Sequence, residues 1–280
     1  MHQELQAVVA TACRELGDLR GRKIDIEEFK MKALVVGGSG LIGSKVCDIL
    51  KKAGHEVIPA SRRNGIDTVT GEGLAEGLKG VDVVVDVPNS PSFEENDVLE
   101  FFTKSSSNIT REAKIAGVKS LVALSVVGID RLPSNSYFRA KLVQEEIIKN
   151  SGIPFTIVRA TQFLEFLDAI AYTSTHGDVV KVSTAFLQPI ASDDVARFVS
   201  EAALAEPKNQ TVDVAGPEAF RTSDILGSYL QKKGDPRKVV ADSEALYFGS
   251  KLEADSLVPV GTQPKLGSIS FEAWLGSTVN

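Results

Sequence analysis

Two residues of a predicted helix could carry out acid–base chemistry together. Tyr137 and Lys141 are four positions apart in a segment that reads as helical from about Ser136, so their side chains leave the same helix face one turn apart. A free tyrosine, with a pKa of about 10, exchanges protons poorly at neutral pH, but a nearby ammonium favours the phenolate and lowers that pKa. The spacing therefore predicts a tyrosine whose pKa the lysine lowers toward neutral pH. The alternative is a partly exposed helix face, because such a pair arises easily by chance.

A glycine-rich loop lies between a predicted strand and a predicted helix. Lys32 to Val36 is a short, mostly apolar run typical of a buried parallel strand, and apolar residues recur at helical spacing from Leu41. Between them the glycines have the spacing G-x-x-G-x-x-G. Gly37 permits a tight turn, Gly40 lets a pyrophosphate approach the backbone, and Gly43 lets the helix pack closely on the strand. The loop and helix N-terminus predicted to bind a dinucleotide comprise Gly37, Gly38, Ser39, Gly40, Leu41, Ile42 and Gly43. An ordinary glycine-rich turn is the alternative.

A basic pair follows the second predicted strand. His55 to Ala60 reads as that strand, and it leads to Ser61, Arg62 and Arg63. An acidic residue about 20 residues past the glycines holds the ribose 2′-hydroxyl of NAD, whereas an arginine there accommodates the 2′-phosphate of NADP. Glu56 is at the wrong end of the strand for that contact. The sequence therefore predicts NADP(H) as the cofactor, and a solvated basic turn is the alternative.

Strands and helices alternate regularly from Lys32 to Arg159. Later predicted strands are Asp67 to Thr70, Val81 to Val87, Ser120 to Ser125 and Phe155 to Arg159, and predicted helices are Gly73 to Lys79, Glu95 to Ala116 and one from about Ser136. This alternation is typical of an α/β doubly wound parallel sheet, the Rossmann fold. Because the carboxyl ends of its strands line the ligand crevice, we expect Val87, Pro88 and Asn89 near the cofactor riboses.

Beyond Ala160 the pattern is less regular. Predicted helices cover Gln162 to Tyr172, a segment entered through an N-cap at Ser192, and Thr222 to Lys232, and short strands fall near Val179–Val182, Leu187–Pro189 and Thr211–Val214. These elements are too few for an independent domain. We expect residues 31–280 to form the nucleotide-binding domain, in which residues from roughly 160 to 280 build a small C-terminal α/β lobe that closes over the crevice and contacts substrate.

Several segments resemble a known family. Together with GGSGLIG in the glycine loop, the segments YFRAKLVQEE, GIPFTIVRATQF, QPIASDDVA and VAGPEAF are similar to the NmrA-like group of atypical short-chain dehydrogenases/reductases. The resemblance covers nearly everything from Lys32 to the C-terminus. Some members of that group reduce quinones or other carbonyls, and others bind NADP(H) as regulators. The resemblance thus implies the fold and the cofactor more strongly than the reaction.

The resemblance also implies roles for single residues. In the short-chain dehydrogenase/reductase family the tyrosine of Y-x-x-x-K exchanges a proton with the substrate oxygen, and the lysine also binds the nicotinamide ribose. Those roles fall on Tyr137 and Lys141. A serine at the end of the preceding strand hydrogen-bonds the same oxygen, and Ser125 matches it.

Other matches surround the cofactor. They are Asp67, which would face the adenine, Ala160 and Thr161 at the end of the strand beginning at Phe155, and Gln162 and Phe163, which would flank the nicotinamide and the substrate. Members often have a proline where this chain has Ala160-Thr161.

Two functions are compatible with these features. One is an NADPH-dependent oxidoreductase that reduces a small carbonyl or quinone, with Tyr137 as proton donor, Lys141 as its electrostatic partner and Ser125 as oxyanion stabiliser. The other is a non-catalytic NADP(H)-binding redox sensor that acts through protein partners. The full set of serine, tyrosine and lysine favours the enzyme.

Composition excludes several other classes of protein. With 43% hydrophobic and 24% charged residues the chain is typical of globular proteins, and its apolar runs are too short to span a bilayer. A net charge of -6 argues against a nucleic-acid partner. Cys13 and Cys47 form no C-x-x-C pair, and we place Cys47 on the inward side of the first helix, so a reducing, cytoplasmic location fits. Three scattered histidines predict no metal site.

The first 30 residues precede the nucleotide-binding pattern. Their apolar residues share one face at helical spacing, which predicts an amphipathic helix: Leu5, Val8, Val9, Ala12, Leu16 and Leu19. The acidic residues in this stretch argue against a transit peptide. The helix could pack on the domain, mediate a homodimer, or be an extension without a partner, since Met31 reads like a native start.

Overall fold

The computed structural model describes residues 30–261 and 263–278. The predicted N-terminal amphipathic helix and Cys13 lie outside these ranges. Residues from Met31 onward form one compact unit.

The strands, in chain order, are β1 (Lys32–Val36), β2 (Glu56–Ala60), β3 (Val83–Asp86), β4 (Ser120–Val126), β5 (Phe155–Ala160), β6 (Thr175–His176), β7 (Val179–Val182), β8 (Phe186–Leu187), β9 (Gln210–Ala215), β10 (Phe220–Arg221), β11 (Lys238–Ala241) and β12 (Lys265–Leu266). The helices are α1 (Leu41–Lys52), α2 (Leu74–Gly77), α3 (Glu95–Ala116), α4 (Ser136–Lys149), α5 (Leu167–Thr173), α6 (Ser192–Leu204), α7 (Thr222–Lys232) and α8 (Phe271–Thr278). Two single 3₁₀ turns cover Arg62–Asn64 and Leu164–Phe166.

A seven-stranded sheet with the order β12-β9-β5-β4-β3-β1-β2 forms the centre of the fold. Every neighbouring pair in it is parallel. The predicted doubly wound parallel sheet is therefore confirmed. The chain runs outward from β1 to β2 and then returns to place β3 on the other side of β1, so the topological switch point lies between β1 and β3.

Helices cover both faces of this sheet because its strands are apolar on both sides. On one face α1 and α6 pack over a core that includes Val35, Val85 and Val158. The predicted inward-facing Cys47 of α1 is buried in this layer. On the other face α2, α3 and α4 cover Leu34 and Leu121.

The predicted strand at Asp67–Thr70 is absent, which makes Phe155–Ala160 the fifth strand rather than the sixth. Asp67 Oδ1 accepts the backbone N–H groups of Val69 at 2.8 Å and Thr70 at 3.3 Å. The side chain thus binds donors that a strand would offer to its neighbour, and the segment turns instead. As a result, β2 is the edge of the sheet.

The segment after Ala160 divides between the sheet and a separate layer. β9 and β12 extend the central sheet, although both lie in the range 160–280 that was expected to form the C-terminal lobe. The rest of the lobe has its own sheets, β11-β7-β6 and β10-β8, around a core that contains Leu167, Leu226 and Trp274.

Helix α6 begins one residue earlier than the predicted cap implied. Ala191 occupies the N-cap position and Ser192 is the first helical residue. The carboxylate of Glu165 accepts the Ser192 N–H at 3.2 Å and its hydroxyl at 2.6 Å. The predicted serine cap is wrong because an acidic residue distant in the chain satisfies the first turn.

Candidate active site

The glycine loop packs against both neighbouring strands at the switch point. Gly37 has a left-handed φ of +76°, and a Cβ atom there would lie 2.8 Å from the Pro88 Cα. A Cβ on Gly38 would lie 2.8 Å from the Pro59 Cα. The loop therefore has room only for glycine at these positions, and the end of β3 lies directly against it.

The N-terminus of α1 offers free backbone donors. Gly40 occupies the N-cap position, and no side chain caps this end of the helix. The first N–H groups of a helix have no partner inside it, and they carry the positive end of the helix dipole. Ser39, Gly40 and Leu41 are exposed. This arrangement suits the phosphates of a dinucleotide.

Gly43 allows α1 to lie close to β1. A Cβ atom at this position would be only 2.1 Å from the Gly37 carbonyl oxygen, so the helix would have to move away from the loop. We expect Gly43→Ala to lower the free energy of unfolding by about 1–3 kcal/mol, as overpacking does, and to weaken dinucleotide binding. Urea unfolding measures the first effect.

Gly227 is the matched control for that substitution. It also lies in a helix, α7, but a Cβ atom at this position would meet no other atom within 4 Å. Gly227→Ala should stabilise the protein by about 0.5–1 kcal/mol, because alanine is the better helix former. Equal urea midpoints for the two variants would contradict the role given to Gly43.

Two exposed arginines follow β2 beside the glycine loop. The Gly37 N–H donates to the Ala60 carbonyl at 3.1 Å, and Ser61 then leads into the 3₁₀ turn that contains Arg62 and Arg63. Neither guanidinium forms an ion pair within residues 30–261 and 263–278. Glu56, at the opposite end of β2, pairs with Lys32 at 3.2 Å. Both arginines are therefore free to meet an anion.

The residues that follow β3 and β5 lie at the carboxyl end of the sheet, where the glycine loop also lies. Val87 donates its N–H to the Val36 carbonyl at 3.1 Å, and Pro88 and Asn89 follow it. After β5, Ala160 accepts from the Val127 N–H and Thr161 Oγ1 donates to the Gln188 carbonyl at 2.6 Å.

Gln162 and Phe163 follow directly on that strand. Gln162 is buried, yet its Oε1 accepts no hydrogen bond from the described residues. The Phe163 ring stacks on Phe166 with centroids 5.1 Å apart. A buried acceptor without a donor is costly, and a ligand amide N–H would satisfy it.

Asp67 lies in the turn that replaces the predicted third strand. Its Oδ1 is already occupied by the two backbone donors described above. This carboxylate orders the loop after the arginines, and its assignment to the adenine stays a prediction.

Tyr137 is half-buried among aromatic rings. Its ring lies 5.9 Å from Phe102, in an edge-to-face arrangement, and 6.0 Å from the exposed Phe93. Its hydroxyl makes no hydrogen bond to any described residue. Burial raises the pKa of Tyr137 to about 12. The expectation that Lys141 lowers this pKa is wrong, because burial dominates and the lysine binds other groups.

Lys141 is buried at the carboxyl end of β4. Its Nζ donates to the Leu124 carbonyl at 2.7 Å and to Gln144 Oε1, and it lies 4.5 Å from the centroid of the Phe102 ring. Burial lowers the pKa of Lys141 to about 8, while the carboxylates of Asp86 and Glu145 oppose that shift. The ammonium is thus held at β4, the strand between β3 and β5, near the carboxyl end of the sheet where the glycine loop lies.

Ser125 donates its hydroxyl proton to a carboxylate. The Ser125 Oγ lies 2.7 Å from Glu145 Oε1, and Arg159 binds the two oxygens of Glu145 at 2.8 and 2.7 Å. A serine has one hydroxyl proton, so Ser125 must break this bond before it can donate to a substrate oxygen. Among the described residues, no hydrogen bond joins any two of the three candidate catalytic residues.

Sequence reasoning missed the polar groups behind these residues: Asp86, Gln144, Glu145 and Arg159. A signal for each was present. Asp86 and Arg159 are charged residues inside apolar strand sequences, and Gln144 and Glu145 lie three and four positions after Lys141, which places them on its helix face.

Glu145 should contribute strongly to stability. Its side chain is 1% exposed and pairs with Arg159 and Lys149. We expect Glu145→Gln to cost about 3 kcal/mol, because Arg159 loses the carboxylate that pairs with it. Urea unfolding at pH 7 measures this, with the exposed pair Glu244–Lys251 as control: Glu244→Gln should cost less than about 1 kcal/mol.

The same pair predicts a dependence on pH. Hydrogen bonds from Arg159, Lys149 and Ser125 outweigh burial and hold the pKa of Glu145 below its usual value. The stabilisation is therefore complete above the ordinary glutamate pKa of about 4.3 and is lost as the pH falls through the lower, folded value. The difference between wild type and Glu145→Gln should shrink in acid. A constant difference from pH 7 to pH 3 would contradict this.

Two further features concern cofactors and membranes. Within the described ranges, no three His, Cys, Asp or Glu side chains gather in a way that could hold a metal ion. No helix in the same part of the chain has the length and apolar character needed to cross a membrane.

The residues present fit a nicotinamide dinucleotide. The glycine loop lacks side chains at positions where a Cβ atom would meet neighbouring backbone, so a ligand can approach it closely. The N-terminus of α1 offers N–H donors to phosphates, and Gln162, just after β5, offers an unpaired acceptor. This combination lies at the switch point, where doubly wound sheets bind ligands.

Comparisons with known proteins agree with this geometry. The NAD(P)H-binding family matches residues 37–207. The chain is 27% identical over 220 residues to (4-alkanoyl-5-oxo-2,5-dihydrofuran-3-yl)methyl phosphate reductase of Streptomyces griseus, covering 72% of this chain and 74% of that protein. It is 23% identical over 230 residues to Photosystem II assembly factor Ycf39 of Cyanophora paradoxa, covering 75% and 71%.

A solved structure shares the fold. It is the dTDP-glucose 4,6-dehydratase DesIV of Streptomyces venezuelae with NAD bound, which has a TM-score of 0.68 and 18% identity and covers 89% of this chain and 96% of its own. At that identity the likeness concerns the fold alone. Because the family match covers more than half of its length, the chain belongs to the NAD(P)H-binding family of Rossmann-fold proteins.

Proposed function

We propose that the protein is an NADP(H)-dependent reductase of a small carbonyl or quinone. The observation that carries this proposal is the position of Lys141, whose Nζ binds the Leu124 carbonyl of β4, near the carboxyl end of the sheet where the glycine loop lies. A charged group at that place can hold the ribose next to the nicotinamide. The reductase among the relatives supports the same class of reaction.

The cofactor, when bound, would supply the hydride. The glycine loop and the N-terminus of α1 would hold its pyrophosphate, and Arg62 and Arg63 its 2′-phosphate. The unpaired Oε1 of Gln162 would accept from the carboxamide. These contacts would hold the nicotinamide at the switch point, next to Tyr137 and Lys141.

Tyr137 would donate the proton. Its raised pKa, about 12, keeps the phenol protonated over the working pH range, which is the form that reduction of a carbonyl requires. Lys141 would hold the ribose and favour the phenolate left after transfer. Ser125 would stabilise the developing oxyanion once its hydroxyl turns from Glu145 and donates to the substrate oxygen.

The substrate would be small and uncharged. The rings near Tyr137 are those of Phe93, Phe102 and Phe138, an apolar surrounding that disfavours a charged group. We place the substrate between these rings and the C-terminal lobe. We also propose a cytoplasmic protein that does not bind nucleic acid, with a homodimer as the oligomeric state to test.

The experiment is a panel of quinones and aldehydes with NADPH, in which cofactor consumption is followed by absorbance. The proposal expects turnover with at least one compound, faster with NADPH than with NADH. Tight NADPH binding without turnover of any compound would overturn the reductase.

A non-catalytic NADP(H) sensor is the second candidate. The contacts of the three candidate catalytic residues favour it, because none of them binds another of the three. Ser125 binds Glu145, Lys141 binds the Leu124 carbonyl, and the Tyr137 ring packs on Phe102. The relative named as an assembly factor agrees with such a role. A protein partner that binds the NADPH-loaded form and not the free form would support it.

A further inference from the structure

A buried polar cluster lies behind Lys141. Asp86, the last residue of β3, is 1% exposed, and its Oδ2 accepts from Gln144 Nε2 at 2.7 Å. The carbonyl of the same amide accepts from the Lys141 Nζ. Gln144 therefore joins a carboxylate and an ammonium with one hydrogen bond to each. We call these three residues the Asp86–Gln144–Lys141 cluster.

Asp86 is the carboxylate that compensates the positive charge of Lys141. Two carboxylates in the described part of the chain act on Lys141, those of Asp86 on β3 and Glu145 on its own helix. Glu145 already binds Arg159 from β5 and Lys149. The other neighbours, the Phe102 ring on α3 and the Leu124 carbonyl on β4, carry no net charge. A buried ammonium needs a compensating charge, and Asp86 is the carboxylate in reach without an ion pair.

Burial acts on both members of the pair in opposite directions. It raises the pKa of Asp86, and both Lys141 and the Gln144 hydrogen bond oppose that rise. It lowers the pKa of Lys141 to about 8, and Asp86 is the foremost group opposing that fall. Each residue thus favours the charged form of the other.

We propose that Asp86 and Gln144 are positioning residues, which keep Lys141 charged and fixed at the carboxyl end of β4 so that it can hold the ribose of the cofactor. This inference rests on the proposed function only for its last clause. In this proposal Asp86 acts on the cofactor only through Lys141. The other oxygen of its carboxylate, Oδ1, has no hydrogen-bond partner among the described residues.

The first test needs no cofactor. In protein labelled with ¹³C at the lysine ε-carbons, NMR titration follows each ammonium, and Lys141→Met identifies the resonance of Lys141. We expect Asp86→Asn, which retains the size and the acceptor for Gln144, to lower the titration midpoint of Lys141 by about one to three pH units. Asp82→Asn is the control, because Asp82 precedes the same strand and pairs with Lys119 at 2.8 Å. An unchanged midpoint in Asp86→Asn would overturn the inference.

The second test measures NADPH affinity against pH by calorimetry. Wild-type affinity should begin to fall near pH 8, where Lys141 loses its charge, and Asp86→Asn should begin to lose affinity at least about one pH unit lower. Gln144→Met removes the bridge and keeps both charges, and should weaken NADPH binding about tenfold at pH 7. Gln144→Met also tests the positioning role if the Asp86→Asn variant does not fold.

The two tests separate the two claims. A shifted Lys141 midpoint without any NADPH binding by the wild type would contradict the proposed function and leave the charge coupling intact. NADPH binding by the wild type that neither variant changes by more than about twofold would overturn the positioning role.

Discussion

Replacing Tyr137 by phenylalanine is expected to lower the turnover rate by about 10²–10⁴, the usual contribution of a positioned general acid. The substitution removes only the hydroxyl, which donates to no described residue. The ring contacts with Phe93 and Phe102 remain, so the fold and the NADPH affinity should stay unchanged. The measurement is steady-state NADPH consumption with the best substrate of the panel, beside calorimetric titration with NADPH.

Tyr172→Phe is the matched control for this change. Tyr172 is 79% exposed at the end of α5, and loss of its hydroxyl should leave the rate within about twofold of wild type. A Tyr137→Phe rate within a few-fold of wild type, with NADPH still bound, would remove the tyrosine from the mechanism.

The second large effect is expected from the two arginines after β2. A charge-assisted hydrogen bond contributes about 1.5–3 kcal/mol. The Arg62→Ala, Arg63→Ala double variant should therefore bind NADPH about one to three orders of magnitude more weakly and bind NADH almost as wild type does. Both side chains are exposed, so the fold should tolerate their loss. Calorimetric titration with each cofactor measures the two affinities.

Lys51→Ala, Lys52→Ala controls for the loss of two positive charges. These lysines end α1, whose opposite end lies at the glycine loop, and their removal should affect both cofactors equally and weakly. If the arginine variant loses affinity for NADPH and NADH to the same extent, the arginines do not read the 2′-phosphate.

The sequence predicts the central sheet well where local patterns decide the structure. The apolar runs of β1, β3, β4 and β5 and the glycine spacing before α1 are local, and each was predicted within a residue or two. The predicted strand at Asp67–Thr70 failed because the Asp67 side chain competes with strand pairing. β9 was predicted as a strand, but its place beside β5 depends on a contact between distant segments.

The candidate site was harder to predict because side-chain partners are not local. Helical spacing placed Tyr137 and Lys141 on one face, but the lysine bonds to the Leu124 carbonyl and to Gln144. Ser125 was expected to meet a substrate and instead donates to Glu145. Asp86 stands out as a charge inside an apolar strand, but only the folded structure shows Gln144 and Lys141 beside it.

Hydride transfer itself is the central claim, and isotopic labelling tests it directly. NADPH carrying deuterium at both C4 positions is incubated with the aldehyde that the protein consumes fastest, and the product is analysed by mass spectrometry. We expect one deuterium on the former carbonyl carbon and none in a parallel reaction with unlabelled NADPH. Label that stays on the nicotinamide, or a reduced product without deuterium, would contradict it.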